Sequence, residues 1–555
     1  MILKKISNIF IILLLFNFFS NTNASSSSNE VLYTKKNISN YFSGIIFIKN
    51  NDTQEGIKYL KKTKNLKNSH SPYSQNLAYA LVLDEKVQQA IYFLNNLDKD
   101  SQNFYESNLI LGTSNLINGR LELSSKNFNN IIKDQKYYNF EKLIGNMLLA
   151  YQQIFEKKNN QNSFNNIPKN LSNISKTLTS CYLENSNVDS LFLNLINSSK
   201  TDYTRYIFFY INYLISKKRY EEAINFIENK VDKIENNILL DQTRNWLVNG
   251  NRQNITNIFD CKNEKHLLSE LLYIIANLYS SEENYNKSNF YLNLSFYFNP
   301  KFIFNKALLA ENFSNMEKYN KSKEIYKTFD KKNEIYYWHS VKKIAYLKSI
   351  LEDESSAINF LNKKFENIKK PSLKNYYDMA NFYKSFEKYE DSIKFYSQVL
   401  EFLKKDHPLY PLILYRRGGS YERINQWQES DKDLLESLSL DPNDPYVLNY
   451  LAYSWLERNY KLDESMSMLI KALKQKPNDP YILDSVGWAY FLNNDYESAE
   501  KYLQKAVLLM PRDPIVNDHY GDILWKLKKE IQANYFWKYV LTLESTDKTM
   551  KEKIK

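Results

Sequence analysis

Apolar and small residues recur along this chain at helical spacing, in blocks of fixed length. Four blocks near the C-terminus run Pro411–Pro442, Pro445–Pro477, Pro480–Pro511 and Pro514 to about Ser545. Each opens on a proline followed by an aromatic or apolar residue, carries a small residue seven places later and closes in a second apolar run. The boundary prolines Pro408, Pro442, Pro477 and Pro511 are 34, 35 and 34 residues apart. A period of this length predicts stacked helix–turn–helix units. In Pro480–Pro511, Leu483, Tyr490, Leu503 and Ala506 make the buried stripe. Gly487 falls where two helices cross closely, Ala499 lets the second helix nest against the first, and Pro511 ends that helix for want of an N–H. The next unit repeats this with Gly521, Ala533 and Trp537. The preceding ones use Ala452, Leu469 and Ala472, and Gly418, Tyr421, Ser430 and Leu434.

The same offset of twelve between small positions can be followed upstream. Gly44 pairs with Gly56 ahead of Leu60, Ala78 with Ala90 ahead of Leu94 and Leu97, and Gly112 with Ser124 ahead of Phe128 and Ile131. From about Lys133 to Thr201 the phase is lost, and irregular helical hairpins are expected there, with a long loop near Lys157–Pro168. Tyr206–Val231 regains one unit. Residues 232–262 are poorly phased, with Trp246 expected to bury. The repeats resume from His266 through Ala276, Ala310, Ala345 and Ala380. The expected organisation is a signal peptide over 1–24, degenerate repeats over 25–132, irregular helical repeats over 133–265, repeats over 266–407, well-formed repeats over 408–545 and a charged tail over 546–555. The fold class is all-α, a helix–turn–helix solenoid of roughly eleven or twelve helical pairs, each burying its face on its neighbours.

Composition agrees with helices. Glycine and proline together are too few for a loop-rich β protein, and the many Tyr and Phe rings suit helix–helix seams. The net charge of +11 is spread along helix faces among Glu and Asn rather than gathered in a patch, which argues against nucleic acid. Lys4 and Lys5, the mostly apolar Ile6–Phe19 and Thr22-Asn23-Ala24 read as an export signal cut after about Ala24. The apolar run is shorter than a spanning helix needs, and no later segment is long enough, so no stable membrane span is expected. The mature chain is expected in the periplasm of a bacterium. Cys181 and Cys261 are the only cysteines. An oxidising compartment would let them pair, but they lie about two repeats apart in a body of local contacts, so two separate thiols are expected.

No chemistry-bearing constellation emerges. The five histidines, His70, His266, His339, His407 and His519, have no second ligand at metal spacing. His519, beside Asp522, reads as a packing or hydrogen-bonding residue rather than half of a proton-transfer pair. Phosphate loops, nucleophile elbows and paired carboxylates are missing. The expectation is therefore no enzyme, no cofactor and no metal.

The small, aromatic and proline positions quoted above resemble the tetratricopeptide repeat, in which the first helix of each pair lines a groove. The resemblance implies groove candidates Tyr415 and Glu422; Tyr446, Asn449 and Tyr453; Tyr481, Asp484, Trp488 and Phe491; and Asp518, Asp522 and Trp525. Rings beside amides and carboxylates suit peptide capture. Some relatives clamp a terminal carboxylate with groove Lys and Arg; here Asn449, Asp484 and Asp518 stand at the matching positions.

Residues 408–541 resemble one bacterial subgroup more closely, through Tyr415–Arg423, Val447–Trp455, Ile482–Tyr490 and Asn517–Trp525. The patterns Asp484-Ser485-x-Gly487-Trp488 and His519-x-Gly521-Asp522-x-x-Trp525 go beyond the generic repeat. The characterised type it is similar to is the envelope lipoprotein that serves as adaptor of a carboxyl-terminal processing protease and delivers cell-wall hydrolases to it. The lipid-bearing cysteine is missing here, and the N-terminal half carries no specific match. The resemblance implies a scaffold with protein or peptide partners, among them such a protease and its substrates. The alternative is a peptidoglycan- or glycan-binding module, with Trp488 and Trp525 stacking on sugars.

Overall fold

The computed structural model describes residues 34–67, 70–134, 136, 138–156, 164–198, 203–230 and 237–543. The expected signal peptide and charged tail, and much of the loop expected near Lys157–Pro168, lie outside these residues. Among the described residues there are 29 α-helices, two short 3₁₀ turns and no strand. That is more helix than eleven or twelve pairs supply, because the unphased stretch folds into helices that no period announces. The described residues fall into two compact units, dividing after Lys343.

The first unit contains α1 (Lys35–Lys49), α2 (Thr53–Lys61), α3 (Ser71–Leu83), α4 (Val87–Asn95), α5 (Tyr105–Ile117), α6 (Leu121–Lys133) and α7 (Asn139–Phe155). It continues through α8 (Lys169–Tyr182), α9 (Val188–Ile196), α10 (Arg205–Ser216), α11 (Tyr220–Lys230), α12 (Ile238–Val248) and α13 (Arg252–Ile258). It closes with α14 (Glu264–Ser281), α15 (Tyr285–Phe298), α16 (Asn305–Asn315), α17 (Tyr319–Lys327) and the start of α18 (Glu334–Leu351). Trp246 is buried on α12, as expected.

The second unit takes the rest of α18 and then α19 (Glu354–Glu366), α20 (Leu373–Ser385), α21 (Tyr389–Phe402), α22 (Tyr410–Arg423) and α23 (Trp427–Leu440). It ends with α24 (Pro445–Glu457), α25 (Leu462–Gln475), α26 (Pro480–Leu492), α27 (Tyr496–Leu509), α28 (Pro514–Lys526) and α29 (Glu530–Val540). Local sequence sets both ends of its first helices. Asp444, Asp479 and Asp513 cap α24, α26 and α28, each carboxylate accepting from the second and third helical N–H, with proline at the first position where no donor is needed. Asn425, Asn459, Asn494 and Lys528 then adopt left-handed backbone just past the ends of α22, α24, α26 and α28. That conformation stops a helix and turns the chain into the next.

Five hairpins close on a glycine, while others, such as α24 with α25, have alanine at that place. A Cβ placed on Gly44, Gly112, Gly418, Gly487 or Gly521 would come within 2.4 to 3.1 Å of Leu60, Phe128, Leu434, Leu503 or Trp537 respectively. The partner is always sixteen residues on, so one side chain of the second helix fills the space the glycine leaves. Gly521 is the tightest, 2.4 Å from the Trp537 indole nitrogen. That nitrogen donates to Asp522 Oδ1 at 3.1 Å and cannot retreat freely. Gly521→Ala is expected to destabilise the second unit by about 1–3 kcal/mol through overpacking. Urea melts would show it, and an unchanged midpoint would contradict the reading.

The first unit departs from a body of nearest-neighbour contacts. Helix α15 returns across the opening repeats. Its Phe290 stacks on Tyr79 of α3 with ring centroids 5.0 Å apart. Tyr291 meets Tyr105 of α5, hydroxyl to hydroxyl, at 2.5 Å. Asn293 donates to the carbonyls of Val82 and Leu83, and Tyr297 donates to Gln88 of α4. Lys287 reaches Glu141 of α7. The expectation for the cysteines fails for the same reason. Cys181, at the end of α8, and Cys261, just after α13, form a disulfide with Cα atoms 5.9 Å apart across 80 residues of sequence. Local-contact reasoning does not apply, because Asn212 of α10 donates to the carbonyls of Ile255 and Phe259, and Tyr182 donates to Glu264. Those bonds fold the unphased stretch back on itself.

Candidate functional site

The first helices of the C-terminal hairpins, α22, α24, α26 and α28, carry every groove candidate. Counting from the proline at the first helical position, Tyr446, Tyr481 and Ile515 occupy the second place in three successive repeats. They are 47%, 59% and 55% exposed, a ladder of apolar groups open to solvent. Tyr446 and Tyr481 were legible as aromatic; Ile515 becomes visible only as their equivalent.

The fifth and ninth places are more enclosed. Asn449 is half-buried, and its Oδ1 has no hydrogen-bond partner. Asp484 is buried against the next repeat, where both its oxygens lie 3.0 Å from Nδ1 of the equally buried His519. The Trp488 ring lies nearly parallel to the rings of Phe491 and His519, at 4.7 and 4.2 Å. Its Nε1 donates to Glu457 of α24 at 2.9 Å. Tyr453 comes within 6.4 Å of the His519 ring, and burial, with Glu457 and Asp484 adding, pushes its hydroxyl well above the ordinary tyrosine range. Asp484, Trp488, Phe491 and His519 thus make a joint between repeats. Asp522 is engaged by Trp537, and Trp525 stands 44% exposed, 5.4 Å from the Trp537 ring. Asp518 is half-buried beside this joint. Tyr415 packs edge-on against Tyr450, 5.6 Å away, and the Tyr450 hydroxyl donates to Glu422 at 2.9 Å.

His519 itself titrates unusually. Burial works against the charged ring, but Asp484 opposes it by charge and hydrogen bond, joined by Asp518 and Glu457, and the net pKa lies above the ordinary 6.5. A raised folded pKa gives stability that is complete below the unfolded value and is lost as pH rises through the folded one. The second unit is therefore expected to melt at higher temperature at pH 5.5 than at pH 8. Asp484→Asn should flatten that difference, and an equal slope in both proteins would remove this pair as the cause. Among the described residues no three His, Cys, Asp or Glu side chains gather so as to hold a metal ion.

The model of the tetratricopeptide repeat matches residues 482–513, the unit that contains α26 and α27. The chain carries a tetratricopeptide repeat. No curated protein matches the chain. Among solved structures it is similar to MamA 41-end from Desulfovibrio magneticus RS-1, with 19% identity over 33% of this chain and 99% of that one, at a TM-score of 0.27. It is also similar to TTC0263, a thermophilic tetratricopeptide-repeat protein of Thermus thermophilus, with 15% identity over 33% and 97% of the two chains, at a TM-score of 0.29. PilW, a type IV pilus biogenesis factor, shows 17% identity over 31% and 76%, at a TM-score of 0.28. A tetratricopeptide scaffold suggests interaction with other proteins, and among the described residues no helix is long and apolar enough to cross a membrane.

Proposed function

We propose that this chain is a non-enzymatic periplasmic adaptor that captures protein segments on the first-helix face of its second unit. The observation that carries this reading is the ladder of Tyr446, Tyr481 and Ile515, exposed apolar groups at one repeated position on a packed scaffold. Enclosed amide and carboxylate groups stand beside it. In the first unit, the corresponding helices α3, α5 and α7 already meet α14 and α15, which leaves the exposed ladder of the second unit as the better candidate. The Cys181–Cys261 disulfide supports an oxidising compartment, in keeping with the export signal.

The resemblance of residues 408–541 to the adaptor of a carboxyl-terminal processing protease names the partners to try first, such a protease and the cell-wall hydrolases it degrades. The glycan reading loses support from the geometry, since Trp488 is spent on Glu457, Phe491 and His519 and leaves Trp525 alone as an exposed indole.

The test places a photo-crosslinking residue at Tyr481 and, as a control, at Val248, an exposed position of the first unit. Discrete protein adducts from envelope extract at position 481 alone are expected. Replacing Tyr446 and Ile515 by alanine should weaken those adducts about ten-fold, as loss of anchors does. Adducts missing at 481, or equal at both sites, would sink the assignment.

A further inference from the structure

The first unit holds an open cavity that its own packing leaves unfilled. The cavity has a volume of about 760 Å³ and is bounded by the end of α2, the 3₁₀ turn Lys64–Leu66, α3 and α4. That is the size of pockets that enclose a small organic ligand. Leu77, Leu81 and Phe93 supply its apolar surface, and Phe93 meets Tyr73 edge-on with ring centroids 6.5 Å apart. Tyr73, Leu77 and Leu81 stand four residues apart on α3. They therefore form a single row along one side of the helix, about 12 Å long by the helical rise.

One end of that row carries polar groups that the fold leaves unmatched. Ser74 donates to the carbonyl of Lys67 at 2.7 Å, which seats the start of α3 against the turn. Lys61, Lys64 and Lys67 come from this one short stretch, and all three line the cavity. Among the described residues none of the three has an ion-pair partner, and no carboxylate lines the cavity. Tyr73 is 1% exposed, yet among the described residues its hydroxyl makes no hydrogen bond. Burial pushes its pKa up to about 12, so it remains a protonated donor. An enclosed donor that lacks an acceptor is costly, and an anion placed there would satisfy it while pairing with the lysines.

We propose that this cavity binds an unbranched anionic amphiphile of the fatty-acid class, its chain along Leu77 and Leu81 and its carboxylate held by the Tyr73 hydroxyl and the three lysines. A single apolar row suits one linear chain, and the cationic end suits one acidic head. Helix α15 reaches the edge of the cavity, where Tyr297 donates to Gln88, and does not fill it. The site belongs to the first unit, so the inference does not rest on protein capture by the second.

Calorimetric titration of the full chain with dodecanoate, kept below its micelle concentration, tests it. One bound dodecanoate per chain is expected, with affinity falling about four-fold for each methylene removed in decanoate and octanoate. Dodecyltrimethylammonium, which has the same chain and a cationic head, should not bind there. Lys61→Glu with Lys64→Glu, both exposed positions, is expected to weaken dodecanoate by at least about ten-fold. Tyr73→Phe removes only the unmatched hydroxyl and should weaken it about ten-fold without lowering the Tm. No saturable binding, or binding that neither replacement weakens, would overturn the site. Equal affinity for dodecyltrimethylammonium would overturn the acidic head. Phosphatidylglycerol vesicles distinguish a membrane surface: lysine-dependent sedimentation with them, by a chain that binds no dodecanoate, would overturn the cavity as a ligand site. The crosslinks at position 481 report separately, and neither result decides the other.

Discussion

Glu270→Ala is expected to lower the stability of the first unit by about 3–5 kcal/mol, the cost of stranding a buried cation. Glu270 of α14 has a fully buried side chain and takes Arg205 of α10 in two bonds, Nε to Oε1 at 2.9 Å and Nη2 to Oε2 at 2.7 Å. Arg205 also donates to Asn305 at 3.0 Å. Its guanidinium lies 3.8 Å from the centroid of Tyr273 and 4.8 Å from that of Phe302, with Phe209 and Phe304 within 5.6 Å. Rings stabilise the cation but do not neutralise it. Removing the carboxylate leaves the charge in an apolar enclosure. The double variant Arg205→Met, Glu270→Leu takes both charges away and should recover most of the loss, because well-packed apolar replacements of buried pairs are often neutral. Urea melts of the three proteins decide it. A double variant as unstable as Glu270→Ala would mean that shape, not charge, is what the pair provides.

Reduction of the Cys181–Cys261 bond should cost the first unit roughly 4 kcal/mol, the chain entropy released when a loop of this size is opened. The bond closes 80 residues. Those residues hold most of the unphased stretch and the one phased unit over 206–231, and they are also tied by the Arg205–Glu270 pair and by hydrogen bonds such as Asn212 to Phe259. Cys181→Ser with Cys261→Ser should reproduce the effect without reductant. The second unit contains no cysteine, so its unfolding transition is the internal control. Equal denaturation midpoints with and without reductant would show that the loop is held by its other contacts.

The repeats were legible where one residue answers another at a fixed distance. Gly487 with Leu503 and Gly521 with Trp537 are such pairs, and the helices follow from them. The groove candidates fall on the first helices of their hairpins, yet sequence could not separate side chains that face solvent from those that tie one repeat to the next. Asp484 and Trp488 looked like ligand-binding groups, and they are the two ends of a joint with His519. The signal was present in the paired patterns around Asp484 and His519, one repeat apart, but their coupling is a property of packing. The return of α15 and the disulfide were illegible for a further reason. Tyr79 and Tyr105 present the same pattern whether their partner is a foreign peptide or a helix two hundred residues downstream.

The return of α15 has a consequence for the order in which the protein is made. Tyr79, Tyr105 and the carbonyls of Val82 and Leu83 leave the ribosome long before Phe290, Tyr291 and Asn293 exist to cover them. Contacts this distant in sequence form late, because the intervening chain must be closed before they can reward it. For the time it takes to synthesise those two hundred residues, the N-terminal repeats present an open aromatic seat to whatever is nearby. A holding chaperone, or passage through the membrane before folding, would shield that seat from neighbouring nascent chains.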